Sequence, residues 1–245
     1  MAKTPAPARK GRGRPQNGAP DLSKAQIVAT ALRLIDEKGL EAFSIRSVAR
    51  ALGCYPTAIY WYTPSRHVLI AEIITVVLRD VLPDAGLDWQ DWLRALFTRY
   101  RAAIARHPNA APLIGVTLVS NASVDVDLVE AVLAKLHDAG FRGASLINAY
   151  NAVIGAMVGF TTQEFAMLPP DAESLREDLA GFPDRIDANR HPLLAQLSGQ
   201  MIGAAFILRW QNGATQPMTG AFAMYVEAFV TGLDRLPREG GAASS

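Results

Sequence analysis

The sequence predicts an all-α fold in which a small three-helix unit precedes a larger helical domain. Apolar residues recur at spacings of three and four through most of residues 22–236, which is the period of an amphipathic helix. No stretch shows the strict apolar–polar alternation of a half-buried strand. Glycine or proline follows successive apolar stripes, as at Gly39, Gly53, Pro64, Pro83 and Gly140, so we expect turns between the helices.

Charge is distributed unevenly along the chain. The 245 residues carry a net charge of only +1, yet residues 1–70 contain eleven lysines and arginines and only four acidic residues. The front of the chain is therefore basic and the remainder acidic, which suits binding of a polyanion at one end. The single cysteine, Cys54, excludes an internal disulfide and indicates a reducing compartment, so we expect a cytoplasmic protein.

Residues 1–21 are predicted to form a disordered basic arm, and residues 237–245 a disordered tail. Within the arm, Arg12 and Arg14 flank a glycine in a sequence that resembles an AT-hook. An extended Arg-Gly-Arg segment fits the narrow, strongly negative minor groove of A·T-rich DNA. The alternative is a solubilising tail. In both cases the arm adds a salt-dependent attraction to phosphates.

Two helices with clear start and stop signals follow the arm. The first begins at Ser23, where Gln26 completes a capping box, and ends at Gly39. The second begins after Ser44, carries a two-turn apolar stripe, and ends at Gly53. A glycine at that position permits the left-handed backbone that turns the chain sharply.

A third, very short helix is predicted over residues 57–62, with Pro56 in its first turn and Pro64 after it. Ile59 is its one inward apolar residue, so its three aromatic residues cannot all face a small core. Two short helices joined by a glycine turn form a helix-turn-helix pattern, whose second helix lies in the major groove of DNA. The alternative is a helical hairpin with an irregular surface.

The run A-x-x-L-G-C-x-P-T-A-I-Y-W-Y, with a basic residue just beyond it, resembles the DNA-binding domain of the tetracycline-repressor (TetR) family over about residues 22–75. The resemblance implies a helix-turn-helix domain over residues 22–66 and a partner that is double-stranded DNA. It also implies a set of DNA-contacting residues, among which Tyr55 and Ala58 cannot make a bidentate base contact. These residues are Ser44, Arg46, Tyr55, Pro56, Thr57, Ala58, Tyr60, Trp61, Tyr62 and Arg66.

The rest of the chain is predicted to be helical. Residues 67–82 form a connecting helix, and residues 83–236 form an effector-binding and dimerisation domain of the kind that the resemblance implies. The segment 143–168 is apolar on nearly every side and must therefore be covered all round. The other predicted helices span 88–107, 110–121, 124–139, 192–212 and 220–235, with a partly helical loop around 172–180.

The resemblance implies a homodimer in which two long helices of each subunit form a four-helix bundle. Two recognition helices one turn of DNA apart would then read a pseudo-palindromic site. Gly155 and Gly159 leave a shallow face on which another helix can come close, and Phe222, Tyr225 and Phe229 lie on the last apolar stripe. These five residues are the predicted dimer interface.

An effector pocket is also implied, because the middle of the larger domain is rich in aromatic residues and methionine. The alternative for each of these residues is ordinary core packing, since they lie at helical spacing. Phe165, Asn148 and Gln163 are secondary candidates. The predicted ligand-binding residues are Trp92, Phe97, Tyr100, His107, Leu118, Asn121, Asn151, Met157 and Phe160.

Other functional classes find little support in the sequence. The four histidines are scattered, and no metal-ligand spacing, nucleophile elbow or phosphate-binding loop occurs, so we expect no enzyme, metal or cofactor. No apolar run is expected to span a membrane. The resemblance implies a repressor that a small lipophilic effector releases from a pseudo-palindromic operator. The alternatives are a ligand-independent architectural DNA-binding protein and an activator of the same fold.

Overall fold

A computed structural model describes residues 22–117, 126–167 and 171–236, and all regular structure within these ranges is helical. The α-helices are α1 (Lys24–Lys38), α2 (Ile45–Leu52), α3 (Pro56–Tyr60), α4 (Arg66–Val77), α5 (Trp89–Arg106), α6 (Ala111–Thr117), α7 (Val126–Asp138), α8 (Gly143–Glu164), α9 (Ala172–Ala180), α10 (Pro192–Met201) and α11 (Thr219–Asp234). Short 3-10 turns occur at Leu40–Ala42, Pro108–Ala110, Pro183–Arg185 and Phe206–Leu208. The all-α prediction is confirmed.

Helices α1, α2 and α3 form the N-terminal head around a small apolar core. Ile27 and Ile35 of α1, Val48 of α2 and Ile59 of α3 are completely buried. Leu69 of α4 belongs to the same buried cluster, so the connecting helix is packed against the head. Burial of each such side chain contributes roughly 1.5–3 kcal/mol of transfer free energy.

The helix ends of the head follow the signals in the sequence. Ser23 and Gln26 form the expected capping box, and Ser44 forms another with Ser47. Gly53 adopts a left-handed backbone with φ of 66° and donates its N–H to Ala49 and Arg50 carbonyls. The predicted helix-turn-helix geometry is therefore formed by local capping and by a glycine turn.

Several helices are shorter than the sequence predicted. α3 ends at Tyr60 and not at residue 62, and Trp61 is its C-cap residue. α4 ends at residue 77 and not 82, since the chain turns to bury Val81 in the core. The segment 143–168 is helical only to residue 164. The predicted helix 192–212 stops at residue 201, because the chain becomes extended and then passes through Gly203, with φ of 79°.

The body is built around α5, α8 and α11. One face of α5 is fully buried, through Trp92, Leu93, Leu96, Phe97 and other apolar residues. The ring centroid of Phe97 lies 5.4 Å from that of Phe229 on α11. Tyr225 of α11 donates its hydroxyl proton to the Ala156 carbonyl of α8, at 2.9 Å. The three helices therefore share one core.

Helix α8 is long and apolar enough to cross a membrane by length and composition alone, but serine, asparagine, threonine and glutamine residues interrupt its apolar run, so it does not indicate a membrane span. An 18-residue window of α8 has a mean hydropathy of 1.3, because the only charged residue of the helix, Glu164, lies at its end. Only 22% of that window is buried within this chain. The exposed apolar surface of this helix must be shielded from water. Contact with a second protein surface can do this as well as contact with lipid.

Candidate nucleic-acid interface

Helix α3 presents aromatic side chains to solvent while a single residue anchors it. Ile59 is completely buried, whereas Tyr55 is 82% exposed and Trp61 89% exposed. Tyr60 and Tyr62 are also exposed. Several exposed aromatic residues on one short helix indicate an interaction surface, because exposing aromatic rings to water does not stabilise the fold.

Predicted DNA-contacting residues with polar or basic side chains are also exposed on the head. Ser44 and Arg46 are exposed at the first turn of α2, and Thr57 is exposed on α3. Pro56 and Ala58 are half-buried at the start of α3. These residues are therefore at least partly accessible on the surface of the head, on α2 and on the short helix that follows it.

Arg66, the first residue of α4, is exposed, and its guanidinium lies 5.1 Å from the ring centroid of Phe43. This cation–π contact holds the charge beside the start of α2. Our sequence analysis missed Phe43 as a supporting residue. The signal that could have found it is the hydrophobic staple, since Phe43 precedes the N-cap Ser44 and Val48 occupies the fourth helical position. Arg12 and Arg14 lie outside the described residues.

An open groove of about 760 Å³ separates α1 from the end of α3. Leu22 and Gln26 line one side of it, and Trp61 and Tyr62 form its edge on the recognition helix. Cys54 is half-buried in this groove and donates its backbone N–H to the Ala49 carbonyl. The groove thus belongs to the head and not to the predicted effector pocket.

The predicted effector residues do not form one cluster. Trp92, Phe97, Tyr100 and Met157 are buried core residues, and burial raises the pKa of the Tyr100 hydroxyl. Phe160 belongs to an aromatic stack with residues of α11. Asn148, Asn151 and Gln163 are exposed on α8, and Phe165 is buried. Leu118 and Asn121 lie outside the described residues.

His107 lies at the junction between the head and the body, where it contacts the end of α1. Its Nδ1 is 2.9 Å from Oδ2 of Asp36. Asn109 donates from Nδ2 to the carbonyls of Ile35 and Asp36, at 3.1 and 3.0 Å. Three side-chain hydrogen bonds therefore join α1 to the turn between α5 and α6.

The predicted dimer residues divide into two groups. Gly155 is exposed and Gly159 half-buried, and a Cβ added at either position would meet no atom within 4 Å. The three aromatic residues of α11 instead pack within the chain: Phe222 contacts Arg101 of α5 and Phe160 of α8, and Tyr225 and Phe229 contact Phe97 of α5. The outward residues of these helices include Met224, 75% exposed, and Ile147, 60% exposed, which the sequence analysis missed. An apolar stripe in the sequence predicts a buried helix face, but it does not distinguish packing within the chain from packing on a partner subunit.

Among the described ranges, no group of three or more His, Cys, Asp or Glu side chains is placed to hold a metal ion.

Two family models match this chain. "Bacterial regulatory proteins, tetR family" matches residues 27–73, and "Tetracyclin repressor-like, C-terminal domain" matches residues 82–207. The HTH-type transcriptional repressor DrrR1 of Streptomyces coeruleorubidus is 27% identical over 210 residues, which are 79% of this chain and 75% of the relative.

Two solved structures extend the comparison. BioQ with its double-stranded DNA operator is 28% identical, with a TM-score of 0.56, over 60% of this chain and 88% of that one. ActR of Streptomyces coelicolor in complex with actinorhodin has a TM-score of 0.67 at 18% identity, over 87% of this chain and 96% of that one. The helix-turn-helix head, the helical body and these matches agree, and the chain belongs to the tetracycline-repressor (TetR) family of DNA-binding transcriptional regulators, a family of regulators and not of enzymes.

Proposed function

We propose that this protein is a homodimeric repressor that binds a pseudo-palindromic operator and is released by a small lipophilic effector. The observation that carries the proposal is the exposed aromatic surface of α3, fixed by the buried Ile59. A relative that is a repressor, and neighbours bound to an operator and to actinorhodin, support it. Its place of action is the cytoplasm, on the nucleoid.

In this proposal α3 enters the major groove, and the residues around it contact different parts of the DNA. Thr57 and Arg46 contact base edges, while Tyr55 and Ala58 offer apolar contact to thymine methyl groups. Tyr60, Trp61, Tyr62 and Arg66 pack on sugar and phosphate, and Ser44 contacts the backbone at the start of α2. Pro56 fixes the leading edge of α3. Arg12 and Arg14 reach the adjacent minor groove.

Replacing Arg66 with alanine tests the docking. We expect affinity to fall on every duplex sequence, and the slope of log K against log salt to decrease by about one, because a phosphate contact is lost. The fold should persist, since this side chain is exposed. Gel-shift titrations at several salt concentrations measure both effects. Arg190→Ala, which removes an exposed arginine from the body, is the control; if the two variants bind alike, the docking is wrong.

The proposed dimer places the outer faces of α8 and α11 against their copies. α8 carries a row of exposed small or uncharged residues, including Ala144, Asn151, Ala152 and Gly155. On α11 the outward residues include Ala221, Met224 and Ala228. Small residues let two helices approach closely, and a two-fold interface uses the same patch on both subunits. The low burial of α8 within one chain leaves this face available for such a contact.

The proposed signal passes through the junction that joins α1 to the body. The turn that holds Asn109 leads directly into α6, so a shift of the body on effector binding is transmitted to the end of α1. A ligand can change operator affinity only if it binds the two arrangements with different affinities. The hydrogen bonds of His107 and Asn109 fix one arrangement.

Replacing Asn109 with alanine should loosen this junction. The carbonyls of Ile35 and Asp36 lose the side-chain donor of Asn109, although the Ile35 carbonyl still accepts the Gly39 N–H, and we expect the free energy of unfolding to fall by about 1–2 kcal/mol. Amide hydrogen exchange should accelerate in α1 and not in α5, because only the head loses an anchor. Asn189→Ala, in an exposed loop, is the control. Equal acceleration in both helices would contradict the role of the junction.

A further inference from the structure

The groove between α1 and the end of α3, here called the head groove, is uncharged and open to solvent. Its volume is about 760 Å³, and every residue that lines it is exposed or half-buried. Ala29 of α1, Gly53 and Ala58 of α3 leave its walls low, because their side chains are small or absent. None of the lining residues carries a charge. Burying a charged group there would cost free energy, so the head groove fits an uncharged segment.

Two aromatic side chains form one edge of the head groove. Trp61 is 89% exposed and Tyr62 is 42% exposed. Covering such rings removes apolar surface from water and is therefore favourable. Proline-rich segments bind aromatic-lined grooves of this kind, because a proline ring packs on an aromatic ring and the extended segment has little conformational entropy to lose.

The chain itself enters the head at this groove. Leu22 is the first described residue of the head and also part of the groove lining. The seven residues from 15 to 21 reach about 23 Å when extended, at about 3.3 Å per residue. The part of α1 that lines the groove, from Gln26 to Thr30, extends only about 6 Å along the helix axis. The residues just before Leu22 are therefore long enough to cross the groove.

Charge divides the arm into two parts, of which only one matches the head groove. Residues 15–20, the proline segment, read Pro-Gln-Asn-Gly-Ala-Pro and carry no charge. The five basic residues of the arm all lie between Lys3 and Arg14. The two prolines have no backbone N–H, so burying the segment leaves fewer donors that need an acceptor. Its glycine and alanine are small enough for close contact with the groove walls.

We propose that the proline segment of the chain's own arm occupies the head groove, with Pro15 packed on Trp61. The arm then follows the head from Leu22 toward the end of α3, and Arg12 and Arg14 leave it beside the recognition helix. An arm held in this way loses less conformational freedom when it contacts DNA, so its arginines contribute more to affinity. This consequence for DNA rests on the proposed function; the binding of the segment in the groove does not.

Cys54 lines the head groove and is the only cysteine of the chain, so it can report where the segment lies. We expect the Gly18→Cys variant, treated with oxidised glutathione in the absence of DNA, to form a disulfide within one chain. Such a bond requires the two Cα atoms to come within about 7 Å of each other. Intact mass and non-reducing gel electrophoresis measure its rate of formation and distinguish it from a disulfide between chains.

A second substitution separates binding in the groove from simple attachment to the head. Adding Trp61→Ala to the Gly18→Cys variant should slow the disulfide about tenfold, because the aromatic contact is lost while the length of the attached segment is unchanged. Tyr60→Ala is the matched control, since this neighbouring exposed ring does not line the groove, and the rate should stay the same. No disulfide within the chain, a disulfide only between chains, or equal rates for Trp61→Ala and Tyr60→Ala would overturn the proposal.

Replacing Pro15 and Pro20 together with serine tests the consequence for DNA. Every charge of the arm remains, so the slope of log K against log salt should not change. Operator affinity should fall about threefold or more, because the arm is no longer held along the head; affinity equal to that of wild type would overturn this role. Operator preference without the Gly18→Cys disulfide refutes binding in the groove alone. The disulfide without operator preference in wild type refutes the proposed function alone.

Discussion

Replacing Gly155 with glutamate should convert the protein into single subunits and lower operator affinity about 100-fold or more, because the two heads then bind independently. The glycine is exposed and a Cβ there meets nothing, so each subunit tolerates the change. In the proposed dimer the same position lies against the partner's helix, and two unpaired carboxylates would be buried at once. Sedimentation velocity measures the subunit number, and a gel shift measures the affinity.

Ala134→Glu is the matched control, since it adds the same charge at an exposed position of α7. This variant should remain dimeric and bind the operator like wild type. Glutamate is also a better helix former than glycine, so a weakened helix cannot explain a loss of dimers at position 155. Dimers that persist in the Gly155→Glu variant would show that the face of α8 around this glycine is not the interface.

Replacing Glu164 with glutamine should lower the free energy of unfolding by about 3–5 kcal/mol. The change leaves the partly buried Arg101 and Arg209 without the buried carboxylate beside them, and removes a bidentate ion pair between α5 and α8. Glu173→Gln, which breaks an ion pair with Arg176 on the exposed face of α9, is the control and should cost about 1 kcal/mol or less. Urea denaturation compares the two; equal costs would mean that the buried cluster does not stabilise the fold.

The same residue gives the stability of the wild type a pH dependence. Burial raises the pKa of Glu164, but hydrogen bonds from Arg101 and the Met218 N–H, with the charges of both arginines, outweigh it, so the net shift is downward. A carboxylate with a lowered pKa in the folded state stabilises the fold above its ordinary pKa of 4.5, and loses this contribution as the pH falls through the folded value. Wild type should therefore lose stability more steeply below pH 4.5 than Glu164→Gln does. Parallel curves would contradict the assignment.

Local signals in the sequence were sufficient for the head. The serine caps at positions 23 and 44, the glycine at position 53 and the proline at position 56 act within one turn of their own position, and the structure confirms each. The buried anchor Ile59 was also predictable, because it is the one aliphatic residue facing inward on a helix of five residues. Helix caps and tight turns depend on residues that are close in sequence, so the sequence alone can predict them.

Contacts between distant segments could not be predicted in the same way. The pair of Arg101 and Glu164 joins residues 63 positions apart, and the contact of His107 with Asp36 spans 71. Periodicity gave the stripe of α11 correctly, and the family resemblance led us to place Phe222, Tyr225 and Phe229 of this stripe at the dimer interface. Packing on α5 uses that stripe within the chain, and only a structure shows which neighbour covers an apolar face.

The central claim is that two copies of the chain place their α3 helices in successive major grooves of one duplex. The most direct test selects genomic fragments that bind the purified protein, and then measures the mass of the complex with a selected duplex by sedimentation. The account predicts two subunits on a pseudo-palindromic site whose half-sites lie about one helical turn, or 34 Å, apart. A complex that contains one subunit, or binding without preference over random competitor DNA, would contradict it.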